Sequence, residues 1–181
     1  MASNEYQLIK KVLENSVSDS WVEAVSEWDI FDCELDYEQQ SKCICGKENI
    51  KYLFTIKNKS NDLTLFPIGS ECIKKFGRSD LNEIINVYER KYKLLKEFKK
   101  GNYIEFTSKL FSKKSLKFMY EDGCFKPSKY NHFDPYTDYK FMLDMFNKRN
   151  PLTEKQDSKV RAIIMTSIRP YLEKTLKFKN D

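Results

Sequence analysis

A chain of 181 residues that is 40% apolar and carries 24 Phe and Tyr side chains can bury a sizeable core, which excludes intrinsic disorder. A third of the residues are charged and there is no apolar run of the ~18 residues that a bilayer-spanning helix requires, so a helical membrane protein is excluded as well. The cysteine count is five, an odd number, and Met1-Ala2-Ser3-Asn4-Glu5 begins no signal peptide; reduced thiols in a soluble, cytoplasmic protein are expected rather than a disulfide framework.

The net charge of +5 hides a strong asymmetry. Residues 1–41 hold ten acidic and two basic side chains, whereas residues 74–118 hold thirteen basic and five acidic ones. Such a split points to a polyanion partner for the basic part, provided that the two parts do not neutralise each other. The acidic segment begins with a helical pattern in which Tyr6, Ile9 and Leu13 recur at three- and four-residue spacing. A second short helix follows Asp19 or Ser20, with Trp21, Val25 and Trp28 on its buried side. Trp28-Asp29-Ile30-Phe31-Asp32-Cys33 then reads as a strand.

The next segment, residues 42–78, carries the most specific signal. Cys43-Ile44-Cys45-Gly46 puts two thiols on one tight turn, with a glycine free to adopt the positive φ that such a turn needs. Ile50 to Lys57 and Leu63 to Phe66, joined by Asn58-Lys59-Ser60-Asn61-Asp62, have the composition of a β-hairpin. Ser70 is placed to cap a short helix, so Cys72 falls in its first turn, where unpaired N–H groups favour a thiolate. Three cysteines in two short clusters predict a Zn2+ site at Cys43, Cys45 and Cys72. Cys33 is the first candidate for the fourth ligand because its strand leads into the turn; Cys124, His132 and water are the alternatives. Buried apolar thiols are the competing reading for Cys33 and Cys124. Knuckle, hairpin and ligand-bearing helix in this order resemble the treble-clef zinc modules, although that family commonly has Cys-x-x-Cys spacing in each half.

From Ser79 the longest periodic segment predicts a long helix, with Asp80 and Glu83 at capping-box spacing and Leu81, Ile84, Ile85, Tyr88, Tyr92, Leu95 and Phe98 on its apolar stripe. Its remaining surface, together with flanking residues, supplies a candidate nucleic-acid-binding set: Lys74, Lys75, Arg78, Arg90, Lys91, Lys93, Lys113 and Lys114. Further helices are expected at Ser112–Tyr120 and Thr137–Asn147, separated by an ordered, aromatic-rich loop from Asp122 to Pro135. Thr153-Glu154-Lys155-Gln156 is a capping box that opens a last helix, which Pro170 should break or kink.

The expected fold is therefore α+β, mostly helical, with a small zinc-bound β-hairpin module. Its organisation is an acidic helical segment (1–41), the zinc module (42–78) and a helical basic region (79–181), expected to form one compact body. The single histidine, and the absence of a Gly-rich phosphate loop, a Gly-x-Ser-x-Gly elbow and a His-Glu-x-x-His helix, argue against an enzyme. Cys43-x-Cys-Gly, Pro67-Ile-Gly-Ser-x-Cys72-Ile-x-x-Phe76 and the stretch from Met145 to Gln156 resemble a group of uncharacterised proteins carried by phages and mobile elements of low-GC bacteria. That likeness implies a zinc-bearing accessory protein and no particular reaction. Two functions are expected to compete: binding of DNA or RNA through the basic face, and anti-CRISPR-like inhibition of a host nucleoprotein complex, in which Glu23, Glu27, Asp29 and Asp36 would act.

Overall fold

The structure is a computed structural model that describes residues 3–179. It is a mixed α+β protein, about half helical, with one four-stranded sheet. Among the described residues no helix is long and apolar enough to cross a membrane. The chain forms two compact units, one running to Asn86 and including the segment from Lys177, the other Val87–Leu176.

In the first unit, α1 (Asn4–Glu14) is capped by Ser3, whose Oγ accepts from the Tyr6 N–H, and α2 (Trp21–Ala24) is capped by Ser20. The strands are β1 (Trp28–Leu35), β2 (Tyr52–Asn58), β3 (Thr64–Ile68) and β4 (Lys177–Phe178), in the order β3-β2-β1-β4. β1 runs antiparallel to β2, with Cys33 opposite Phe54 and a bulge between Ile30 and Asp32; β4 joins β1 in parallel. The acidic segment and the cysteine-bearing segment after it thus share a single sheet, because β1 pairs along the whole of β2. A short helix α3 (Ser70–Lys74) follows the hairpin.

Two expectations shift here. The buried residues of α1 are Leu8 and Val12, and Tyr6 is exposed; the stripe lies beside the one that the spacing suggests. Ser70 is the first helical residue of α3, Gly69 holds the cap position, and the Cys72 N–H is taken by the Gly69 carbonyl at 3.0 Å. The expected strand does open at Trp28, which is fully buried, with Nε1 donating to Ser16 Oγ at 2.9 Å.

Buried Glu27 holds this region together. Its carboxylate accepts from the N–H groups of Val17 and Ser18, each at 2.8 Å, and from Asn58 Nδ2 at 2.7 Å, which joins the α1–α2 connection to the hairpin turn. Burial alone would raise its pKa, but these donors outweigh it and hold the carboxyl at about 2.

The long helix α4 (Ser79–Lys99) contributes Leu81 and Ile85 to the core of the first unit, and Leu94, Leu95 and Phe98 to that of the second. Asp80 serves Arg78 as an ion-pair partner at 2.6 Å. The second unit continues with α5 (Lys113–Glu121), α6 (Pro135–Asn147), α7 (Glu154–Ile163) and α8 (Arg169–Thr175), and α6 packs against both α5 and α7. The predicted capping box of α7 forms between Thr153 and Gln156. Pro170 does not end the last helix: a π-helical segment, Ile164–Ile168, leads into α8, and Pro170 lies at the start of α8, just after that change of pitch.

Candidate metal centre and basic face

The turn that carries Cys43 and Cys45 is closed at its base by the Ser41–Ile50 bridge, with the Ile50 N–H donating to Ser41 O at 3.1 Å. Inside it, the Cys43 N–H donates to Lys47 O and the Gly46 N–H to Cys43 O, both at 2.8 Å, and Gly46 has φ +91°, a left-handed value that favours glycine. The Ile44 N–H reaches Pro67 O at 2.9 Å and so docks the turn on β3. A residue that sequence reasoning missed prepares this turn. Buried Asp36 accepts from the N–H groups of Glu38, Gln39, Gln40 and Ser41, from Ser41 Oγ at 2.6 Å, and from Lys179 Nζ at 3.3 Å. The Ser41 hydroxyl is the main reason that its carboxyl sits at about 2; burial opposes it and Lys179 adds to it. An Asp just beyond a strand, ahead of a polar run, is the local signal for such a turn.

Cys72, in the first turn of α3, faces this knuckle. Its Sγ lies 3.6 Å from that of Cys43 and 3.2 Å from that of Cys45, and all three sulfurs fall within 4.8 Å of one another in buried surroundings. Four thiolates around a tetrahedral zinc at ~2.3 Å would stand about 3.8 Å apart, so the spacing suits one shared cation. The Gly69 N–H donates to Cys43 Sγ at 3.3 Å, and a Cβ on Gly69 would press on Ile50 Cγ2 at 3.3 Å, so glycine keeps this N–H close to the sulfur.

The electrostatics of the cluster are those of a ligand set waiting for a cation. The Cys72 thiol, aided by the N–H groups of Cys45 and Gly69, brings Cys43 down to about 5 against the opposing effect of burial. Cys72 is pushed up, first by its bond to the Cys43 thiolate and then by burial. The pair thus favours one thiolate and one thiol, and a cation bound by both would displace the remaining proton.

Among the described residues no fourth Cys, His, Asp or Glu joins the cluster. Cys33 stays outside it: the thiol is buried on β1, with Sγ 3.7 Å from the Glu34 carbonyl. Cys124 and His132 belong to the second unit. Cys124 follows α5 and is buried, which pushes its thiol up to about 12; His132 is exposed with φ 56°. Beside Cys43 and Cys72 lies a cleft of about 150 Å³, lined also by Lys47, Tyr52, Ser70 and Glu71. It is large enough for a water-sized fourth ligand.

The candidate basic face is only partly available. Lys74 pairs with Glu71 at 2.7 Å and Lys75 with Glu5 at 3.4 Å. Arg78 is structural: it pairs with Asp29 at 2.7 Å and with Asp80, and donates to the carbonyls of Val25 and Trp28. Arg90 donates to the carbonyls of Ser108 and Phe111, tying α4 to the approach to α5.

Lys91 is the clearest correction, being only 4% exposed. Its ammonium donates to Tyr171 Oη at 2.8 Å and sits 4.8–5.2 Å from the ring centroids of Tyr88, Phe118 and Tyr171, while the Tyr171 hydroxyl donates to Asp122. A cation in that box cannot meet phosphate. Lys93, Lys113 and Lys114 remain on the surface. Glu27 and Asp36, candidates for an acidic inhibitory surface, are buried structural carboxylates instead.

No protein-family model, curated protein or solved structure matches the chain.

Proposed function

We propose that the protein is a zinc-stapled, non-catalytic nucleic-acid-binding protein, with the first unit as the metal-fixed scaffold and the second as the polyanion-binding part. The observation that carries the binding role is the division of charge. Residues of the second unit include twenty basic and eleven acidic side chains, a net +9, and the rest of the chain has twelve and sixteen, a net −4. Within the second unit the exposed lysines Lys93, Lys113 and Lys114 are the contact candidates, and Lys93 Nζ lies 3.4 Å from the carbonyl of Lys109, a further exposed lysine.

The donor set supports zinc, and the buried thiols support a structural role for it: the metal would fix the knuckle to α3 beneath the hairpin, with Cys43, Cys45 and Cys72 as ligands and a water in the cleft as the fourth. The order of knuckle, hairpin and ligand-bearing helix supports a treble-clef-like module. With the motif resemblance, it also supports an accessory role in a phage or mobile element.

The test is binding of labelled DNA and RNA by the zinc-loaded protein, with Lys93→Glu/Lys113→Glu/Lys114→Glu as the variant. Affinity should fall at least tenfold at unchanged thermal stability. Wild-type protein that binds no nucleic acid at low salt would refute the reading and favour the inhibitor role.

A further inference from the structure

The Asp122–Pro135 loop of the second unit is held by its own hydrogen bonds in a conformation that turns aromatic rings outward. Asn131 is fully buried beneath it. Its Oδ1 accepts from the Ser128 N–H, and its Nδ2 donates to Lys126 O and to Asp138 Oδ2 in the first turn of α6, all at 2.8 Å. The Phe133 N–H closes back on Ser128 O at 2.8 Å and the Asp134 N–H on Asn131 O at 3.0 Å. These bonds hold His132 and Phe133 at consecutive φ values of 56° and 59°, a region that bulky L-residues rarely adopt.

Large rings stand exposed on and beside this turn: Tyr130 is 78% exposed, Phe133 72% and Tyr136 48%, three within seven residues. Behind it lies a fixed aromatic base, in which Tyr120 and Tyr139 stack at 4.6 Å and Tyr136 lies 6.0 Å from each.

Charge identifies the occupant. Glu121 is ion-paired with Lys117 at 3.6 Å, and the other carboxylates of this stretch have neutral partners: Asp122 the Tyr171 hydroxyl, Asp134 the Tyr136 N–H as the cap of α6, and Asp138 the Asn131 amide. Lys126 and Lys129 are exposed and have no acidic partner among the described residues, and the Lys129 ammonium stands 5.0 Å from the Tyr130 ring. Outward-facing rings interleaved with exposed lysines, on a unit of net charge +9, match a polyanion whose repeating unit carries a flat π-face. In duplex nucleic acid those faces are stacked away, whereas in a single strand they are available.

We infer that this loop is a base-stacking platform for single-stranded nucleic acid, in which Tyr130 and Phe133 receive successive bases and Lys126 and Lys129 the adjoining phosphates, with little sequence preference. The inference rests on the reading of the second unit as the nucleic-acid-binding part and names its ligand and contact residues.

The experiment is fluorescence anisotropy with labelled dT20, rU20 and a 20-base-pair DNA duplex, using full-length zinc-loaded protein at low salt. The variants are Tyr130→Ala/Phe133→Ala and Phe133→Trp, with thermal melts to confirm folding; these side chains are exposed, so both variants should melt like the wild type. The wild type should prefer the single strands to the duplex. The double alanine variant should lose at least tenfold in single-strand affinity while binding the duplex as before. Phe133→Trp should retain single-strand binding and show quenching of the added indole by dT20. Binding of single strands by the double alanine variant as tight as that of the wild type, with the lysine charge reversals still damaging, would overturn the platform and leave the wider reading standing. Wild-type protein that binds none of the three probes would overturn both, and the loop would then be a protein-docking patch.

Discussion

Three sulfurs and one glycine define the chemistry of the first unit at the scale of single residues. The bond from the Cys72 thiol draws the Cys43 thiol down to about 5, and the same contact, with burial, pushes Cys72 up. Zinc binding at pH 7 should therefore release at least one proton, from Cys72; titration calorimetry in two buffers of different ionisation enthalpy reads that number as the difference in apparent heat. Glu27 makes a second prediction. Its carboxyl is held at about 2, below its usual 4.5, so the folded state binds fewer protons than the unfolded one as pH falls between those values. The stabilisation is complete above about pH 4.5 and disappears as pH drops towards 2. A depression of that size corresponds to about 3 kcal/mol at neutral pH. Glu27→Gln should lose roughly that much in urea denaturation at pH 7 and show a flatter loss of stability between pH 4.5 and 2. The same pH slope in variant and wild type would contradict the assignment.

At the scale of elements, what was legible in the sequence was what local chemistry dictates. The hairpin turn is written in Asn58 to Asp62, the start of α7 in Thr153 and Gln156, and the knuckle in Cys43-x-Cys-Gly, because each is made by bonds between residues a few positions apart. What was not legible depends on distant partners. β4 is two residues long and exists only because β1 offers it an edge. The buried stripe of α1 differs from the one read because Leu8 and Val12 are as well spaced as Tyr6, Ile9 and Leu13, and only packing chooses between them. Lysine on a charged helix is usually exposed, and it is Tyr171, 80 positions away, that holds Lys91 inside. Lys91→Ala should cost about 3 kcal/mol in stability, by removing the cation from its aromatic box and from the Tyr171–Asp122 pair, whereas Lys93→Ala should cost almost nothing. Chemical denaturation of the two variants distinguishes them, and equal stabilities would contradict the burial of Lys91.

At the scale of the whole molecule, charge is sorted by unit, +9 in one and −4 in the remainder of the chain. A partner that neutralises about four lysines of the basic unit would release counterions and give a log–log salt slope of about −3 on single strands. Affinity would then fall roughly fiftyfold between about 50 and 200 mM salt, and removal of each contacting lysine should reduce the slope by somewhat less than one. The proposed metal would bear on the other unit. Chelation of zinc should lower its melting temperature by roughly 10 °C or more, because a ligand set formed only on folding converts metal binding into folding free energy.

The most direct test of the account is the metal content of the purified protein by plasma emission spectrometry, for the wild type and for single serine replacements of all five cysteines. One zinc per chain is expected, lost or sharply reduced in Cys43→Ser, Cys45→Ser and Cys72→Ser and retained in Cys33→Ser and Cys124→Ser. A wild type purified and reconstituted without zinc, or zinc that survives loss of Cys72 and disappears with Cys33, would contradict it.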